Sequence, residues 1–145
     1  MSFEDIPAVI DHAIRLEEAT AAFYDHLLNL DLEPEAATLV RSLVAQEKKH
    51  AKQLAEFKKT CTAAGFIQNL PAFPQPTLDL LAERRRLSLG DLLQIAMQVE
   101  VASRDFYQSV AQLAPNEPMR KLFGALTRFE QSHIDLLTRH LAYSN

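Results

Sequence analysis

The chain has 145 residues, a formal net charge of −4, 48% hydrophobic residues, three glycines and no tryptophan. Its length suits one domain with a single buried core, and its acidic balance gives no reason to expect nucleic acid or an anionic membrane as partner. With Cys61 as the only cysteine, an internal disulfide and a thiolate-built zinc or iron–sulfur site are excluded.

The abundance of Ala, Leu, Glu, Lys and Arg favours helix, and breakers divide the chain. Ser2, with Asp5 three residues on, is expected to cap a first helix over about 3–30, with Pro7 in its opening turn. Asp31-Leu32-Glu33-Pro34 then turns the chain. A second helix is predicted over 35–64, ending at Gly65. Three prolines between Asn69 and Pro76 exclude regular helix there, so 65–87 reads as a long crossover, with room for a short helix over 77–86. Ser88 with Asp91 opens a third helix over 88–114, and Pro115-Asn116-Glu117-Pro118 leads into a fourth over 118–142. The N-terminus is too acidic for a signal peptide, and no apolar run approaches the roughly eighteen residues of a membrane span; a cytoplasmic protein is expected. Arg84-Arg85-Arg86 reads as a solvated helix face.

Each long helix carries an apolar stripe at alternating steps of four and three. The stripes are Ile6, Ile10, Ala13, Glu17, Thr20, Tyr24, Leu27; Val40, Leu43, Glu47, His50, Leu54, Phe57, Cys61; Leu89, Leu93, Ala96, Glu100, Ser103, Tyr107, Val110; and Phe123, Leu126, Glu130, His133, Leu137. A Glu or a Glu-x-x-His sits mid-stripe every time, where a charge is costly unless something pairs with it. Glu17, Glu47 and His50 match Glu100, Glu130 and His133 at a constant offset of 83, and Phe23-Tyr24 match Phe106-Tyr107 on the same offset. In an antiparallel hairpin, residues whose numbers average to the turn lie level. Glu17 with Glu47 average to 32, and Glu100 with Glu130 to 115, both inside turns. Both pairs therefore sit about 22 Å from their turns. The expected fold is an all-α antiparallel four-helix bundle of two helical hairpins, with four carboxylates and two imidazoles converging at mid-height.

Positions i and i+3 share a helix face, so the Glu and His of each Glu-x-x-His can approach one ion together. Four carboxylates balance two divalent cations, which permits burial of the loaded site. The oxygen/nitrogen donor set suits iron or manganese, and affinity alone also admits zinc. Glu18 rivals Glu17 in register but falls off the stripe and lacks the seven-residue spacing to Tyr24. Tyr24 and Tyr107 lie two turns from Glu17 and Glu100; a packed tyrosine bonded to a carboxylate and a redox or proton-delivery role both fit. His12 and His26 are expected at the surface, His140 as a packed or exposed histidine, and Cys61 as core filling.

These residues, AIRLEEATAAFY with AQEKKH and AMQVEVASRDFY with RFEQSH, resemble the ferritin-like di-iron carboxylate superfamily, and most closely its rubrerythrin-like branch. The resemblance implies two irons, with Glu47 and Glu130 as bridges and Glu17–His50 and Glu100–His133 as terminal ligands. It further implies reduction of hydrogen peroxide or dioxygen, with electrons returned by an external donor such as a rubredoxin-like protein. Two departures stand out. The paired Cys-x-x-Cys domain of full-length rubrerythrins has no counterpart here, and between Met97 and Tyr107 the only glutamate is Glu100, without the family's extra one. Iron storage of bacterioferritin type uses the same ligands and is an alternative reading; such a subunit usually continues into a fifth short helix, whereas twelve residues follow His133 in this sequence. A metal-stabilised, non-catalytic binding protein is a third reading. Phe66, Ile67, Leu70 and Phe73 need cover, so a homodimer with the 65–87 segment in its contact is expected.

Overall fold

The computed structural model describes residues 5–60 and 89–144, which form four helices and, among those residues, no strand. They are α1 (Ile6–Leu27), α2 (Pro34–Thr60), α3 (Leu89–Leu113) and α4 (Glu117–Ser144). None is long and apolar enough to cross a membrane. Ser2, Cys61, Gly65, Ser88 and the whole expected crossover, with its apolar cluster and Arg84-Arg85-Arg86, lie outside the described residues.

The first helix starts later than expected because Asp5, not Ser2, caps it. Asp5 is extended, at φ −144° and ψ 165°, and its Oδ1 accepts from the N–H of Ala8 at 2.8 Å. That bond satisfies a donor the helix itself leaves open, and Pro7 has no N–H to satisfy. At the other end the N–H groups of Leu28, Asn29 and Leu30 turn back onto the last carbonyls of α1. Pro34, assigned to the turn from sequence, is the first residue of α2, where its fixed φ suits a helix start. Asn116 opens α4 one residue earlier than expected, its Oδ1 accepting from Met119 N at 2.9 Å.

The helices pair as α1 with α2 and α3 with α4, and α2 packs against α4. Two apolar cores fill the interior. One joins Ile6, Ile10 and Ala13 of α1 to Leu54 of α2, Tyr107 and Val110 of α3 and Phe123 of α4. The other joins Tyr24 and Leu27 to Val40 and Leu43, Leu93 and Ala96, and Leu137. Thus the end of α1, the start of α2, the start of α3 and the end of α4 share one end of the bundle. α2 finishes at the opposite end from where α3 begins, so the link between hairpins joins opposite ends, as a crossover does. The fold is the all-α antiparallel four-helix bundle. Between the two cores lies a layer with a different chemistry.

Candidate metal centre

That middle layer holds the buried polar side chains Glu17, Thr20, Glu47, His50, Glu100, Ser103, Glu130 and His133, none more than 3% exposed. Each sits where its helix's apolar stripe passes between the cores. Thr20 and Ser103 satisfy themselves locally, donating to Leu16 O at 2.8 Å and Val99 O at 2.9 Å. Those bonds repeat the offset of 83 in three dimensions. The other six converge.

Their donor atoms form two groups, Glu17, Glu47, His50, Glu130 and Glu47, Glu100, Glu130, His133, the atoms of each lying within 4.8 Å of one another. Glu47 and Glu130 belong to both. Glu130 points Oε1 toward His50 Nδ1 at 3.9 Å and Oε2 toward His133 Nδ1 at 3.6 Å. His133 Nδ1 is also 3.0 Å from Glu47 Oε1 and 3.4 Å from Glu100 Oε2, while His50 Nδ1 is 3.7 Å from Glu17 Oε1. The imidazoles stack across the centre, ring centroids 5.9 Å apart and 17° from parallel.

The tyrosines cross between hairpins. Tyr24 of α1 donates to Glu100 Oε1 of α3 at 2.6 Å, and Tyr107 of α3 donates to Glu17 Oε1 of α1 at 2.7 Å. Each hydroxyl therefore binds the carboxylate of the other half, two turns from the one in its own helix. Burial, then the charge of Glu100, pushes Tyr24 well above the usual tyrosine range; burial, then Glu17, does the same to Tyr107. Both stay protonated donors.

Crowding acts on the carboxylates in two directions. Burial first, then the charges of Glu17, Glu100 and Glu130, pushes Glu47 well above the usual range, and burial followed by Glu100 and Glu17 does so for Glu130. At Glu100 burial also pushes upward, but hydrogen bonds with Glu130 and His133, the His133 charge and the Tyr24 hydroxyl outweigh it and hold the carboxyl low. Glu17 Oε2, Glu47 Oε1, His50 Nδ1 and Glu130 Oε1 are buried without a hydrogen-bond partner. The 3.0 Å approach of His133 Nδ1 to Glu47 Oε1 is thus a close contact without hydrogen-bond alignment. Orphaned buried acceptors are costly in a protein interior. Four of them aimed into one layer, with oxygen and imidazole nitrogen as donors, fit a pair of divalent cations.

Glu18 is exposed, one step round the helix from Glu17. His26 is exposed and His140 half-buried, and neither belongs to the two groups. His12, expected at the surface, is half-buried and contacts Arg15 through its Nδ1 at 2.7 Å. Gln46 and Phe129 escaped the sequence reading. Gln46 Oε1 is 2.6 Å from His133 Nε2, and the Phe129 ring lies 4.9 Å from that of His50. The available signal was their place, each immediately before the Glu of a Glu-x-x-His.

No family model and no curated protein matches the chain. Among solved structures it is similar to a Thermotoga maritima protein provisionally described as a ferritin-like diiron-carboxylate protein. The TM-score is 0.83 at 23% identity, over 99% of this chain and 98% of that one. The fold is ferritin-like.

Proposed function

We propose that the six residues hold two iron ions and that the protein is a di-iron oxidoreductase, reducing hydrogen peroxide or dioxygen with electrons from an external, rubredoxin-like donor. Glu17 and His50 would serve one ion, Glu100 and His133 the other, and Glu47 and Glu130 both. The observation that carries this reading is the membership of Glu47 and Glu130 in both donor groups. Two separate sites would share no residue. The fold shared with the provisionally described diiron-carboxylate protein supports the same reading.

Two bound ferrous ions would supply two electrons, the number that conversion of one hydrogen peroxide and two protons to two waters consumes. The chain's own residues prepare the place for that chemistry. The apolar cores above and below exclude bulk water, which strengthens every charge interaction inside. Tyr24 and Tyr107 clamp Glu100 and Glu17 by Oε1, which leaves Glu100 Oε2 toward His133 and Glu17 Oε2 buried without a partner. Burial and the neighbouring carboxylates favour the protonated forms of Glu47 and Glu130, and a bound cation would favour release of those protons.

Anaerobic loading with ferrous iron, followed by stopped-flow mixing with peroxide or oxygen, tests the proposal. Rapid growth of the absorbance of an oxidised di-iron centre, reversed by a reduced rubredoxin-type donor, is the expected result. Loaded protein that is inert to both oxidants would overturn it. The reading includes a homodimer, so size exclusion should give a dimer-sized species; a many-subunit particle accumulating iron would establish storage instead.

A further inference from the structure

The two halves of the centre match at all six ligand positions and differ one residue earlier. Gln46 precedes Glu47, and Phe129 precedes Glu130. The Gln46 amide makes a second bond, its Nε2 donating to Ser42 Oγ at 3.0 Å. Only its carbonyl oxygen then faces His133 Nε2, at 2.6 Å, and a carbonyl only accepts. With that oxygen accepting, His133 carries a proton on Nε2, and Nδ1 faces Glu47, Glu100 and Glu130 as the donor atom for an ion. Beside His50 stands the Phe129 ring, tilted 39° and without an oxygen to receive an N–H. The position matching Ser42 on the offset of 83 is Ala125, so the matching hydroxyl is missing there too. His50 Nδ1 also lies farther from its carboxylates, at 3.7 and 3.9 Å.

We infer that the two ion positions are inequivalent, and that Gln46 is a positioning residue which makes the Glu100–His133 position the tighter. An imidazole whose far nitrogen donates to an oxygen is fixed in tautomer and ring orientation and is a more basic ligand. The Glu17–His50 position lacks that support from Phe129, so it fills second and empties first. This rests on the two-ion reading above but does not follow from it, since a symmetric pair would satisfy that reading equally.

Titration of metal-free, full-length protein with Mn(II), with free ion followed by electron paramagnetic resonance, gives the two stepwise affinities. Two ions separated by roughly ten- to a hundredfold are expected. Gln46→Met, at a half-buried site that accommodates it, should weaken the first step by about that factor and merge the two. Gln46→Glu still accepts the N–H and should keep the steps apart. In Zn(II)-loaded protein, proton–nitrogen correlation spectra should show the His133 Nε2–H protected from exchange, and Gln46→Met should lose that protection. Two equal affinities in the unaltered protein, or unchanged separation in Gln46→Met, would overturn the inference while leaving the two-ion reading intact. Failure to bind two ions at all would overturn both.

Discussion

The Tyr24 hydroxyl is the sole short link from α1 to Glu100 among the described contacts, and it reaches a fully buried carboxylate. Tyr24→Phe should leave Glu100 Oε1 buried and unsatisfied, costing about 1–3 kcal/mol in the metal-free protein. Urea unfolding of the variant measures that loss; an unchanged midpoint would show that the hydroxyl does not hold Glu100. Residue identities were legible wherever burial alone decides them. Glu17 was separable from Glu18 because only one continues the stripe, and the structure buries the first and exposes the second. The tyrosines' partners were not legible: their spacing relates each to the Glu of its own helix, whereas the bond goes to the other hairpin and depends on how the hairpins pack. Gln46 was hidden for the same reason, since His133 lies 87 positions away in the chain.

At the scale of the helix, caps and apolar layers set boundaries and stability. Asp5→Ala and Asn116→Ala each remove a side-chain acceptor from a helix N-terminus and should each cost about 0.5–2 kcal/mol by denaturant midpoint. Ser2 looked like the first cap because a Ser followed by an acid three residues on is a capping signature. Asp5 takes the role because its own carboxylate reaches Ala8 N, and the helix then starts behind it. The stripes carried the four long helices because a period near 3.6 requires only local sequence. Phe123 lies fully buried in the core next to Tyr107, with ring centroids 5.7 Å apart. Phe123→Ala should therefore cost about 3–5 kcal/mol and weaken ion binding together with stability. A variant that loses stability but loads metal normally would show that this core does not support the centre.

For the molecule as a whole, burying four carboxylates together has a consequence in pH. Glu47 and Glu130 are raised when folded, so their contribution is complete below the ordinary glutamate value near 4.5 and is lost as pH rises through their folded values. Glu100 is lowered, so its contribution is present above 4.5 and is lost as pH falls through its folded value. The metal-free protein should accordingly lose stability from about pH 4.5 toward neutrality. Ion binding works the other way, because the ligands must be deprotonated and only the folded form binds. The gap in melting temperature between Mn(II)-loaded and metal-free protein should widen between roughly pH 5 and 7.5. A constant gap, or one closing toward neutral pH, would contradict a buried carboxylate cluster. The bundle and its level of convergence were readable in advance because the repeat offset and the turn positions are properties of chain length alone. The contact of Gln46 with His133 was not, because it joins two hairpins across 87 positions of the chain.

The central claim is that six residues from four helices hold two ions and that Glu130 serves both. Its most direct test is the iron content of gel-filtered protein after anaerobic loading, measured for the unaltered chain and for Glu130→Ala. Two ions per chain in the first and loss of both in the second is the predicted result. No iron in the unaltered protein, or two ions retained without Glu130, would contradict it.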